Sequence, residues 1–220
     1  MDVDCFLKKR TAFIRQFYNI ASAPFLELKR KIEAEEPPFT PPYSEDGEPP
    51  FLEEWIEADE SIQVIGYSCI SMLAASLHLY FREWENQFRT PASDSVKPEF
   101  KKGWLNGYKV FFATNFDIKF ECSGADLSLL EEVVLIRNRI QHPESITSQR
   151  ENYLPSDIKK LTRAFFVDDL ERNFLNDMDK VERSWLSPVY IDVTGDKLIE
   201  AIMEVEKFSE WLQAQIVQER

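Results

Sequence analysis

Residues 64–80, VIGYSCISMLAASLHLY, are apolar or small on nearly every side. A helix that is apolar all round is buried all round. The segment sits inside 51–88, the longest helical pattern in the chain, which has no proline and only Gly66 as a weak point. A buried helix of that length has to be wrapped by others, so the expectation is an all-α bundle.

The flanking sequence supplies the wrapping. Residues 3–34 read as helix, with a break expected near Ala23-Pro24. In it Phe6, Phe13, Phe17 and Ile20, spaced seven, four and three apart, share one face. The stretch EEPPFTPPYSEDGEPP (35–50) holds six prolines and reads as an exposed loop. After the turn chemistry of 90–95, a third helix is expected over 98–114 with Trp104, Tyr108, Phe111 and Phe112 inward. A fourth starts at Asp126 or Ser128, with Asp126 suited to cap it and Glu131 and Glu132 suiting the dipole. It runs through LSLLEEVVLIRNRIQH and stops at Pro143. Residues 144–187 are less regular, with one helix expected at 156–164. The tail alternates like a short strand at 188–193, offers Thr194 as a cap, and continues as an amphipathic helix over 196–218. Its stripe is Leu198, Ile202, Val205 and Phe208/Leu212. The expectation is a single domain over 1–220 with a minor β element near 188–193.

Composition bounds the function classes. No uninterrupted apolar run approaches the roughly 20 residues of a spanning helix. The opening MDVDCFLKKRTAF lacks a secretory core, so a cytoplasmic protein is expected. Cys5, Cys69 and Cys122 form neither a metal-ligand nor a disulfide pattern. The net charge of −13 counts against nucleic acid until its distribution is seen. Residues 36–60 hold nine acids and no base, yet 97–119 and 137–163 are each +3. Basic islands on an acidic body can still hold a phosphate backbone locally.

There are two histidines, and no Gly-rich phosphate loop, His-Glu-x-x-His or Cys-x-x-Cys. His78 lies mid-helix between Leu77 and Leu79 and reads as a core histidine. His142 closes Arg137-Asn138-Arg139-Ile140-Gln141-His142 at a helix end, where the dipole favours positive charge. Asn138 and His142, four apart, stack on one face, and Leu135 and Glu131 continue the stripe. Arg137 borders the apolar side, so it either pairs with an acid or lines a cleft. A purely structural role, with Arg137 in an ion pair and His142 as a cap, competes with a catalytic one.

Arg-Asn-x-x-x-His at the end of an apolar helix in a helical bundle resembles the HEPN superfamily (higher eukaryotes and prokaryotes nucleotide-binding). Its signature is Arg, four to six residues, then His, with a polar residue such as Asn after the Arg. The tail YIDVTGDKLIEAIMEVEKFSEWL (190–212) also resembles the strand-plus-final-helix ending of some bacterial members. The resemblance implies a ribonuclease that needs neither metal nor cofactor, acting as a toxin or antiviral defence effector. It implies that His142 is general base or acid, that Arg137 stabilises the phosphorane, and that Asn138 orients imidazole or phosphate. Products would be a 2′,3′-cyclic phosphate and a 5′-hydroxyl. Two such domains pool their motifs across a two-fold axis, which implies a homodimer or a second HEPN chain, and an antitoxin or regulatory partner. Arg139, Lys159 and Lys160 would hold the RNA backbone. Some members carry Tyr two residues after the His; here that position is Glu144, which puts regulation through such a tyrosine in doubt. Two rival readings stand beside this one: a non-catalytic HEPN-like protein that binds RNA or nucleotide or assembles with a partner, and a plain helical interaction protein.

Overall fold

The computed structural model describes residues 2–41, 49–89, 93–143, 149–161, 163–168, 171–172 and 188–218. The architecture is all-α with one minor two-stranded sheet. Residues 42–48 of the Pro-rich loop, 90–92 of the following turn and most of 144–187 lie outside the described residues.

Helix α1 (Val3–Glu33) begins at Asp2, whose carboxylate accepts the Cys5 N–H, and runs unbroken through Pro24. The break expected near Ala23-Pro24 does not occur. The inner face of α1 is not the face its phenylalanines share. It is formed by Val3, Leu7, Ile14 and Tyr18 together with polar Asp4, Thr11 and Ser22. The polar members are held by partners: Asp4 accepts from Ser209 Oγ at 2.8 Å, and Thr11 donates to Glu206 at 2.5 Å. Phe6, Phe13, Phe17 and Ile20 do share a face, but it points outward.

Helix α2 (Leu52–Phe88) lies antiparallel to α1, as the pairs Lys29–Asp59 and Arg10–Ser76 require. It is the central helix, with Cys69, Ile70, Leu73, Leu77 and Phe81 fully enclosed. It is not buried all round: Val64, Ser68, Ala75 and Leu79 form an exposed line. Contrary to the reading of its apolar run, α2 is by length and composition apolar enough to cross a membrane, though 56% of that window is buried inside the bundle. Gly66 is required by a close approach, because a Cβ there would sit 2.8 Å from Val193 Cβ. Around it Tyr67 Oη donates to the Ile191 carbonyl and Gln63 accepts from Val193 N, so α2 grips the strand region of the tail.

The third expected helix is split. A single turn, α3 (Lys97–Phe100), precedes α4 (Trp104–Phe116), and Gly103 at φ 137° makes the break that L side chains resist. Tyr108, Phe111 and Phe112 point inward as expected. A 3-10 turn (Phe120–Ser123) leads to α5 (Leu127–Gln141). Strand β1 (Asn152–Tyr153) pairs antiparallel with β2 (Val189–Tyr190), Asn152 opposite Tyr190 and Tyr153 opposite Val189. Between the strands, α6 (Pro155–Ile158) is one turn rather than a helix over 156–164. Helix α7 (Gly195–Gln218) starts with Lys197 N donating to Thr194 Oγ1, and its stripe of Leu198, Ile202, Val205, Phe208 and Leu212 is buried. At the centre Phe81 stacks on Tyr108 (4.9 Å) and Phe120 (5.6 Å), and Phe208 meets Phe120 edge-on at 4.8 Å. That aromatic knot ties α2, α4, the 3-10 turn and α7 together, each pair adding roughly 0.5–1.5 kcal/mol beyond burial.

Candidate functional site at the end of helix α5

Helix α5 is fixed at both ends. Asp126 Oδ1 accepts the Leu129 N–H at 3.1 Å, as its place before the apolar run suggests. At the other end the His142 N–H reaches the Arg139 carbonyl, and Pro143 prevents another turn. Near the start of the helix, buried Glu132 is a bolt. Its carboxylate accepts Tyr153 Oη at 2.5 Å and the Phe165 and Phe166 N–H groups at 2.9 Å each. This holds β1 and the 165–166 segment against α5.

Asn138 and His142, one turn apart, both lie in the wall of an open pocket of about 570 Å3. Lys102, Leu105 and Asn106 of the α3–α4 region form part of that wall, and Lys160 and Leu161 another part. The two basic islands therefore meet here, although of the five lysines in 97–119 only Lys102 lies in the wall. Lys102 is bonded to Glu99, at 2.7 Å. Glu131, on the same stripe, adds a negative charge about 16 Å along the helix from His142. Both Asn138 and His142 are exposed. Among the described residues, no three His, Cys, Asp or Glu side chains are placed to hold a metal ion.

Arg137 is half-buried on the neighbouring face. Its Nη1 donates to Asn138 Oδ1 at 3.0 Å, which leaves the Asn138 amide NH2 to face a ligand. Among the described residues it forms no ion pair with an acid, and it stands outside the wall of this pocket, so neither of the two roles open to it is observed here. Across the α2–α5 contact lies half-buried His78, stacked on Trp104 at 4.7 Å. Burial, then the charges of Arg82 and Arg137, push the His78 imidazole below its ordinary pKa and so towards its neutral form.

The expected backbone-holding residues do not act as a set. Arg139 is gripped by Asp157 through Nε–Oδ2 at 2.7 Å and Nη2–Oδ1 at 3.1 Å. Asp157 is 3% exposed and also accepts the Leu154 N–H. Arg139 thus pins the loop after β1 to α5. Lys160 lines the pocket; Lys159 is exposed and outside its wall. Arg139→Ala is expected to cost about 2–3 kcal/mol in urea unfolding, because it leaves a buried carboxylate with no cation and one hydrogen bond fewer at each oxygen. Unchanged stability with weakened RNA binding would return Arg139 to the ligand.

Sequence reasoning missed Asp157 and Lys102. The signal for Lys102 was present in the charge count of 97–119. Asp157 had none, since its partner stands eighteen residues away and only folding joins them. Comparison with protein-family models, with curated proteins and with solved structures finds no match.

Proposed function

We propose that the end of α5 is the active site of a HEPN-type endoribonuclease. The observation that carries the reading is the placement of Asn138 and His142 side by side on the wall of an open pocket beside Lys160, with Arg137 bonded to Asn138 and without an acid partner among the described residues. An exposed imidazole with no packing duty suits proton transfer, and a guanidinium not committed to a carboxylate suits phosphate.

In the reaction, His142 takes the proton of a ribose 2′-OH as that oxygen attacks phosphorus, or gives a proton to the departing 5′-oxygen. Arg137 stabilises the charge that builds on the non-bridging oxygens, and Asn138 holds the phosphate or the imidazole. The P–O5′ bond breaks as the P–O2′ bond forms, giving a 2′,3′-cyclic phosphate and a 5′-hydroxyl. One motif supplies one imidazole, so the second proton-transfer group comes from a second copy or another HEPN-type chain facing the pocket. The role fits a toxin or antiviral effector held in check by a regulatory protein.

A second reading, a HEPN-like protein that binds RNA or assembles without cleaving it, is favoured by the sparse cations of the pocket. Of the three residues expected to hold the backbone, only Lys160 stands in the wall without an ion pair among the described residues. Incubating the protein with total RNA in EDTA, beside Arg137→Ala and His142→Ala, decides between the readings. Cyclic-phosphate ends made by wild type alone support the nuclease; RNA bound but intact in all three supports the second.

A further inference from the structure

Among the described residues, the largest gathering of exposed apolar side chains is not at the motif. It runs along the seam of α1 and α2, where Phe6 is 51%, Phe13 58% and Ile20 67% exposed, and Leu79 is 46% exposed on the neighbouring helix. Between them lies a groove of about 530 Å3, walled by Phe6, Phe13, Met72 and Leu79. Large apolar side chains gathered in this way mark an interaction surface, whereas the same residues scattered singly would not.

The ends of the stripe say what covers it. At one end stand Lys9, over the Phe6 ring at 5.5 Å, Arg10 and Arg82, which outnumber the acid Glu83 in the groove wall beside them and leave that end net basic. At the other end, towards the start of α2, stand Glu53, Glu57 and Glu60. Among the described residues neither Arg82 nor any of these three glutamates has an ion-pair partner, and Lys9 and Arg10 meet only a ring and the Ser76 hydroxyl. In the middle, exposed Ser68 and Ala75 are small enough for a second backbone to come close. A surface that is basic at one end, acidic at the other and apolar between is complementary to itself under a two-fold axis.

We propose that this face binds a second copy of the chain, with the two α2 helices antiparallel across an axis near Ser68 and each Arg82 against the partner's acidic end. From Glu57 to Arg82 the stripe runs about 37 Å at the α-helical rise. Two helices wide, it offers roughly 700 Å2, close to the roughly 800 Å2 per partner of a stable complex. This pairing leaves the pocket of each copy open and does not rest on the ribonuclease reading.

The test is sedimentation equilibrium of the full chain with Phe13→Asp, Leu79→Asp, Arg82→Glu, Glu57→Lys and the Arg82→Glu/Glu57→Lys double variant. All four positions are exposed, and circular dichroism checks that each variant is folded. Wild type is expected to self-associate through this face, to a dimer or, where a second copy also faces the pocket, to a larger assembly, and each apolar-to-acid change weakens the step made by this face about 100-fold or more. Each charge reversal weakens it and the double variant restores it, because both ends change sign together. A wild type still monomeric at about 50 µM overturns the proposal, whether the face then takes a lipid surface or a different protein. A dimer indifferent to all of these changes overturns it equally. His142→Ala keeps the dimer whatever it does to cleavage, so the two readings fail separately.

Discussion

His142→Ala is expected to lower RNA cleavage about 100- to 10,000-fold, the range one positioned proton-transfer group supplies, with little change in thermal stability. The expectation of unchanged stability follows from the structure. Among the described residues the His142 side chain makes no hydrogen bond or ion pair, and its contribution to ending α5 comes from its backbone N–H, which alanine retains. Surface changes of that kind usually fall within about 0.5 kcal/mol. Arg137→Ala tests the companion role. It removes the Nη1–Asn138 bond as well as a charge, so both phosphate stabilisation and the aim of the amide suffer. A large loss of stability in His142→Ala would instead mark the imidazole as a structural cap.

Glu132→Ala is the substitution expected to damage the fold most, by about 3–5 kcal/mol, because it strands the Tyr153 hydroxyl and two amide N–H groups in the buried interior. Against the 5–15 kcal/mol that holds an ordinary domain together, that leaves a marginal protein. The effect also carries a pH signature. Burial raises the Glu132 carboxyl above its usual 4.5, outweighing the three hydrogen bonds that pull the other way. A group raised in the folded state contributes stability that is fully present below its unfolded pKa and is lost as pH rises through the folded value. The gap between wild type and Glu132→Ala is therefore widest in acid and narrows from about pH 4.5 upward. Urea unfolding across that range checks it, and a gap that widens towards neutral pH would mean the three donors govern the carboxyl.

The elements most legible in the sequence were those whose own periodicity decides their burial. Helix α7 shows its inner stripe from Leu198 to Leu212, and α5 shows its cap, its apolar core and its stop at Pro143. In helix α1 the shared face of the phenylalanines was legible but its direction was not: the inner face carries Asp4, Thr11 and Ser22, satisfied by partners on α7 or by the α1 backbone itself, while the phenylalanines face out. An apolar stripe says that a helix has such a face, not whether the same chain covers it. Gly103 divided the third helix where the aromatic pattern alone runs on. The side-by-side placement of Asn138 and His142 follows from four-residue spacing and was readable. The fate of Arg139 and Glu132 was not, because each is decided by a residue that only the tertiary fold brings near. Glu132, which fits a dipole role near the start of α5, instead serves as the buried anchor of β1 and residues 165–166.

The most direct test of the central claim uses a short RNA that the protein cuts at one position, beside the same strand with a 2′-deoxyribose on the 5′ side of that bond. Attack by the 2′-hydroxyl predicts cleavage of the first in EDTA, with a 2′,3′-cyclic phosphate and a 5′-hydroxyl at the new ends, and none at the modified bond. Cleavage of the deoxy-substituted strand at the same position, or products ending in a 5′-phosphate, would contradict it.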